Sequence, residues 1–261
     1  MSDVQNLADA LIAADRTALI DTTPAWLPQT AAEAIAVQEA VVGGQPIIAW
    51  KIGRNPVFGP VAAPMLRTIV VAGDSAAYNL AYTSAVETEI GFKLGSDLKP
   101  LSNGQAHTVE TIMDHVASVH LGVELLEDRL TPELRKANGG LALADSLNNG
   151  GYVLGPELAR ERVLALIADP AGQGHDLTLI FDGQEVASGP APHVNGNPLV
   201  PLLDFLNDAS ARAQRGAADI FWSLKAGDIV TTGCFGPAVK LNGARRIEID
   251  WLTRFVIDHA G

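Results

Sequence analysis

Two glutamates one residue apart, Glu87 and Glu89, lie in "AVETEIGFKL" (85–94), a stretch that otherwise reads as a buried strand. Successive side chains of a strand point to opposite faces, so Val86, Thr88, Ile90, Phe92 and Leu94 share one face. Ala85, Glu87, Glu89, Gly91 and Lys93 share the other. Carboxylates about 6–7 Å apart on one face repel unless a cation, a proton or an arginine lies between them. A third acid stands in "SVHLGVELLEDR" (118–129), where alternation sets Glu124 and His120 on a polar face beneath an apolar one. Three carboxylates from two neighbouring strands can hold one divalent cation. Oxygen-only ligation favours Mg²⁺ or Mn²⁺ over zinc and leaves positions open for water or substrate. The spacing equally allows a solvated face, or pairing with Lys93 and arginines. His120, four residues before Glu124, can line such a pocket as an acid–base partner or pack as a hydrogen-bonded histidine. Arg54 and Arg67 can bind a substrate carboxylate or stand as surface charges. Cys234 has no evident activating base and reads as a small buried apolar residue.

The elements that must position these groups follow from periodicity. Apolar residues at helical spacing predict helices over 2–15 and 31–42, the second stopped by Gly43-Gly44. "PIIAWKIG" (46–53) is strand-like, and "RNPVFGPVAAPM", with three prolines, reads as a loop. From about residue 70 the segments "TIVVAG", "AVETEIGFKL", "VHLGVELL", "LTLIFDGQEVASG", "DIVTTG" and "RIEIDWLTRFVI" are β-branched, often alternating, and bounded by turn residues. Asp182-Gly183 suits the positive φ angles of a type I′ hairpin. Helices are expected again within 109–118 and 198–215. The reading is an α+β chain: a mainly helical N-terminal region over 1–70 and a β-rich domain over 71–261.

The chain has 261 residues, 48% hydrophobic and 18% charged, which is the profile of an ordered globular protein with length for a sizeable core. A net charge of -12 disfavours a nucleic-acid partner, which needs a positive footprint. One cysteine excludes an intramolecular disulfide and a thiolate zinc cluster. The first residues lack the basic region of a secretory signal, and no run of about 18 apolar residues is present to span a bilayer. A cytoplasmic protein without membrane contact is expected.

"WKIG" (50–53), "ETEIGFKLGSDL" (87–98), "VELLEDRL" (123–130), "ADSLNNGGYVLG" (144–155), "DGQEVASG" (182–189), "NPLVPLLDFL" (197–206) and "LKAGDIVTTGCFGP" (224–237) occur in the order of one family. From about residue 5 to 257 the chain resembles the 2-keto-4-pentenoate hydratases and 4-oxalocrotonate decarboxylases of the fumarylacetoacetate hydrolase superfamily. The resemblance implies a fumarylacetoacetase-like mixed β-roll core and a homo-oligomer. It implies Glu87, Glu89 and Glu124 as ligands of Mg²⁺ or Mn²⁺, Lys51 as a catalytic lysine, and Asp145 at or near the pocket.

The implied activity is that of a metal-dependent lyase on small 2-oxo or 2-hydroxydienoic acids in aromatic-compound catabolism. Hydration of a 2-hydroxy-2,4-dienoate to a 4-hydroxy-2-oxo acid leads. Decarboxylation of a 4-oxalocrotonate-like 2-oxo diacid is the same-class alternative, and a non-catalytic 2-oxo-acid-binding homologue or partner subunit the alternative from another class. Hydrolysis of acylpyruvates ranks third among the reactions, because the histidine–glutamate dyad of the superfamily's hydrolases needs a histidine before Glu87, and the first here is His107. The chain departs from the family in a shorter segment after "KIG", with Ala62-Ala63-Pro64 where an acid is expected. It also has Asn148 where a serine is common, so Arg54 and Asn148 are candidates for substrate recognition.

Overall fold

The computed structural model describes residues 2–101, 105–169, 176–215 and 224–261. Among the described residues the strands, in chain order, are β1 Ala49–Asn55, β2 Gly59–Pro64, β3 Thr68–Val70, β4 Ser75–Tyr78, β5 Ala85–Leu94, β6 Val116–Leu126 and β7 Asn149–Glu157, then β8 Asp176–Phe181, β9 Gln184–Pro190, β10 Ile229–Thr231, β11 Val239–Lys240, β12 Arg246–Asp250 and β13 Arg254–His259. The helices are α1 Asp3–Ala14, α2 Ala31–Val42, α3 Val109–Asp114, α4 Pro132–Ala137, α5 Gly139–Ala144, α6 Arg160–Ala168, α7 Val200–Asn207 and α8 Ala209–Arg215. None of the described helices is long and apolar enough to cross a membrane.

One sheet runs β2-β1-β10-β5-β6-β7-β3, with β11 added beside β5, and a second runs β4-β13-β12-β8-β9. The mixed sheets and flanking helices are the α+β architecture expected. Val86, Ile90 and Phe92 of β5 and Leu121, Val123 and Leu125 of β6 face one apolar cluster, which also holds Leu179 and Phe181, Ile247 and Ile249, and Phe255 and Ile257 of the second sheet. Full burial of each such side chain contributes about 1.5–3 kcal/mol. That core fixes which face of β5 and β6 is turned away from it. A one-residue slip would carry the acids into the core, so the register is strongly specified.

The sequence expectations meet the structure at most elements. The hairpin β8–β9 turns on Asp182 (φ 49°) and Gly183 (φ 81°), both left-handed as a type I′ turn requires. Helix α2 begins at the Thr30–Glu33 capping box and ends at Gly43, φ 59°. The departures are several: β4, β7 and the short helices α4, α5 and α6 are not among the expected elements, residues 116–118 at the end of an expected helix open β6, and 59–64, expected as part of a loop, is a strand. Its prolines, Pro60 and Pro64, are tolerated because β2 is the edge of its sheet, where one row of amides needs no partner. Strand formation thus begins at Ala49, and α1 and α2 pack together in a separate apolar cluster with Leu130, Leu134 and Leu141.

Candidate metal centre

Strands β5 and β6 run antiparallel with Glu87 opposite Glu124 and Glu89 opposite Gly122. One ligand oxygen from each of Glu87, Glu89 and Glu124 lies within 4.8 Å of the other two. Glu89 and Glu124 are fully buried, and Glu87 keeps 17% of its side-chain surface open. Strand β1, parallel to β10, sets Lys51 beside Thr231. The Lys51 ammonium lies 2.9 Å and 2.7 Å from the two oxygens of Glu124 and 3.9 Å from Glu87. It also reaches the carbonyl of Leu147 at 3.5 Å.

Four partners around this group are invisible to a reading of charges alone. Thr231 donates its hydroxyl to Glu89 Oε2, and Asn149 donates to Glu124 Oε1 at 2.9 Å. Tyr152 is buried beside Glu124 in register, and the Cys234 backbone pairs with that of Glu89 in an isolated antiparallel bridge. The alternation rule that found the acids could have flagged Tyr152, whose strand pairs with β6. Thr231 and Asn149 required the tertiary pairing.

Three carboxylates share one ammonium, and the electrostatics show the imbalance. Burial pushes Glu87 up to about 7, with the charge of Glu124 adding and that of Lys51 opposing. Burial pushes Glu89 well above the ordinary carboxylate value, reinforced by Glu124 and Glu87. Burial disfavours the Lys51 ammonium, but Glu124, Glu87 and Glu89 outweigh it and hold its pKa above the usual lysine value. Cys234 is half-buried, and burial together with Glu87 and Glu89 pushes its thiol up to about 12.

A cation fits this set on the structure's own terms. Glu89 Oε1 is buried without any hydrogen-bond partner. The donors are all carboxylate oxygens, the set that suits a hard divalent ion such as Mg²⁺ or Mn²⁺.

The remaining candidates lie in different surroundings. Asp145, ending α5, is buried and bound by Arg129, whose Nη2 also donates to the carbonyls of Asp145 (3.1 Å) and Asn149 (2.8 Å). Burial pushes Asp145 up to about 6 against the pull of Arg129. Between those carbonyls Ser146, Leu147 and Asn148 are all left-handed, at φ 52°, 55° and 66°. Each such residue costs roughly 1–2 kcal/mol without glycine, and Arg129 spans the turn that carries Leu147 over Gly53 and towards Lys51. Asn148 accepts from Arg135. His120 has one ring nitrogen 2.9 Å from the Ser118 hydroxyl and the other 3.0 Å from the Gly155 carbonyl. Arg54 is 69% exposed, 3.6 Å from Asp204. Arg67 binds Asp15, Glu127 and the carbonyl of Gly150. The structure therefore brings Lys51 into contact with Glu124 and Glu87, and links Asp145 to the group only through the turn that follows it.

No family model matches the chain. Among solved structures, 4-oxalocrotonate decarboxylase from Pseudomonas putida G7, complexed with magnesium and adipate, matches at a TM-score of 0.67 and 18% identity, over 98% of this chain and 97% of that one. The same enzyme complexed with calcium and acetate gives 0.66 and 17%, with the same coverage. A fumarylacetoacetate hydrolase family protein from yeast matches at 0.52 and 14%, over 82% of this chain and 92% of that one. The fold is that of the fumarylacetoacetate hydrolase superfamily. Its β-roll is the frame on which the three glutamates converge in this chain.

Proposed function

We propose that this chain is a metal-dependent lyase of small 2-oxo and 2-hydroxydienoic acids, and that it hydrates a 2-hydroxy-2,4-dienoate to a 4-hydroxy-2-oxo acid. The observation that carries the reading is the convergence of Glu87, Glu89 and Glu124 within 4.8 Å, beside a single lysine. The relatives in fold lend it support: the Pseudomonas decarboxylase was crystallised with hard divalent cations and with carboxylates.

In this reading Glu87, Glu89 and Glu124 hold Mg²⁺ or Mn²⁺. The bound cation supplies Lewis acidity towards an oxygen that gains charge as a 2-oxo acid enolises. Lys51 would hold a proton at Nζ for transfer to or from the substrate, and the Glu124 carboxylate and the Leu147 carbonyl aim it. Asn149 keeps Glu124 oriented. The 145–149 turn, clamped by Arg129, limits how far Lys51 can swing.

Incubation with 2-hydroxypenta-2,4-dienoate and Mg²⁺ or Mn²⁺ tests the assignment. Loss of the dienol absorbance is expected, with 4-hydroxy-2-oxopentanoate as product. No loss across a panel of dienoates removes the hydratase.

A second reading, decarboxylation of a 2-oxo diacid, is favoured by the 98% coverage and higher TM-score of the match to 4-oxalocrotonate decarboxylase. Carbon dioxide release from 2-oxohex-3-enedioate distinguishes it. Stabilisation by Mn²⁺ with oxalate but no turnover of either substrate would instead mark a binding protein.

A further inference from the structure

Tyr152 is fully buried on β7, opposite Glu124 in the strand register. Its ring lies across Gly122, where a Cβ would fall 1.9 Å from the phenol oxygen and 2.6 Å from the ring carbon that bears it. The hydroxyl reaches on towards β5, where a Cβ at Gly91 would come within 3.0 Å of it. Two glycines on the face that carries the glutamates thus leave their space to a phenol from the next strand.

The fit is close, yet the hydroxyl has no partner in good hydrogen-bond geometry, and only the Thr231 hydroxyl makes a weak contact with it. A buried hydroxyl without a partner costs about 1–3 kcal/mol, and phenylalanine would fill the same volume without that cost. The polar groups that bear on the phenol are the Glu89 carboxylate, the Thr231 hydroxyl and, more weakly, Glu124. Glu89 shows the complementary deficit: Thr231 satisfies Oε2, and Oε1 has no partner. A donor without an acceptor and an acceptor without a donor thus stand at one pair of positions, since the phenol oxygen lies against Gly122 and Gly122 is opposite Glu89 in the strand register.

We propose that Tyr152 is a positioning residue for the cation: its hydroxyl, with that of Thr231, braces the Glu89 carboxylate from behind, so that this ligand meets the ion in one fixed orientation. The inference rests on the metal site described under "Proposed function" and adds to it the group that sets ligand geometry. Hydrogen bonds to a ligating carboxylate typically matter about 10–100-fold in metal affinity. A fixed ligand favours a small ion that demands near-octahedral geometry, such as Mn²⁺, over Ca²⁺, whose coordination is flexible.

Calorimetric titration of the full chain with Mn²⁺ and with Ca²⁺, in the wild type and in Tyr152→Phe, tests this. The variant should bind Mn²⁺ about tenfold more weakly and Ca²⁺ less than about threefold more weakly. Its metal-free thermal midpoint should equal or exceed that of the wild type, because the substitution removes an unpartnered buried hydroxyl. An Mn²⁺ affinity within about twofold of wild type, an equal loss for both cations, or a lowered metal-free midpoint would each overturn the role of Tyr152. A wild type that binds neither cation removes the metal site itself, and the brace with it. A wild type that binds Mn²⁺ while the variant is unchanged removes only the brace.

Discussion

Two groups of three carboxylates are built into this molecule, and they are balanced differently. Asp15, Glu127 and Asp145 meet three guanidiniums. Arg16 grips both oxygens of Glu127 at 2.7 Å and 2.9 Å, Arg67 spans Asp15 and Glu127, and Arg129 spans Asp145 and Asp15. Among the described residues, Glu87, Glu89 and Glu124 have Lys51 alone as a counter-charge. The titration directions follow. In the arginine network Asp15 is held below the ordinary carboxylate value, where Arg67 and Arg129 overcome its burial, while the more deeply buried Asp145 still rises, to about 6, against the pull of Arg129. At the other group Glu87 and Glu89 are pushed up. Clustered acids do not by themselves mark a metal site. Acids left short of positive charge do, and that deficit separates the two.

Breaking each group should have opposite consequences for stability. Arg129→Met strands the buried Asp145 carboxylate, and removing one partner of a buried pair costs about 3–5 kcal/mol. For a chain of this size that lowers the thermal midpoint by on the order of 10 °C. Glu89→Gln removes a carboxylate that its surroundings disfavour, while its amide oxygen can still accept from Thr231. Its metal-free midpoint should hold or rise, while Mn²⁺ binding is lost. Thermal denaturation of the two variants without metal, followed by Mn²⁺ titration of Glu89→Gln, checks both. A comparable fall in the two midpoints would mean that the two groups are the same kind of structure.

The part of this contrast that lies within one strand pair was legible in the sequence. Alternation in 85–94 and 118–126 puts the glutamates on one face, and the apolar partners of Glu87 and Glu89 show which face that is. Strands β1, β5, β6, β8, β9, β10, β12 and β13, the longer N-terminal helices and the type I′ hairpin follow from periodicity and turn chemistry, which are local, whereas β7 and the short helices α4–α6 do not stand out. The edge strand 59–64 was hidden by its prolines, because edge position is a property of the whole sheet. Arg129 and Asp145 are 16 residues apart and reveal nothing as a pair until the left-handed turn brings them together. The same holds for Thr231, 142 residues from the Glu89 it binds. Sequence patterns show which side chains share a face, whereas counter-charge is supplied across elements.

A smaller effect, in pH, sharpens the comparison. Glu87 titrates near 7 in the folded chain against an ordinary value of 4.5, so the metal-free fold binds this proton more tightly than the unfolded chain. Its contribution is therefore complete below 4.5 and is lost as pH rises through about 7. Asp145, raised to about 6, acts in the same direction but is spent first. Asp15, lowered, loses its contribution only as pH falls below 3.8. Between pH 6 and 7.5 the metal-free stability should fall by on the order of 1 kcal/mol, and Glu87→Gln should flatten that slope. Saturating Mn²⁺ should also remove it, because the cation takes the place of the proton.

The smallest expected effect concerns Arg54, a surface counterpart to the buried lysine three residues before it. Its side chain is 69% exposed, and its guanidinium stands 3.6 Å from the carboxylate of Asp204, whose side chain is 47% exposed. Pairs of this kind contribute about 0–1 kcal/mol, because water screens both partners and holding two long side chains together costs entropy. Arg54→Ala should shift stability by less than about 0.5 kcal/mol. If Arg54 instead gripped a substrate carboxylate, losing a charged hydrogen bond of about 1.5–3 kcal/mol would raise KM by roughly 10–150-fold. The exposure and the competing Asp204 argue for a KM within about twofold of wild type, measured with the dienoate at saturating Mg²⁺. A tenfold rise would show that substrate draws Arg54 away from Asp204 and inward, and would extend recognition beyond the buried cluster to the open end of β1.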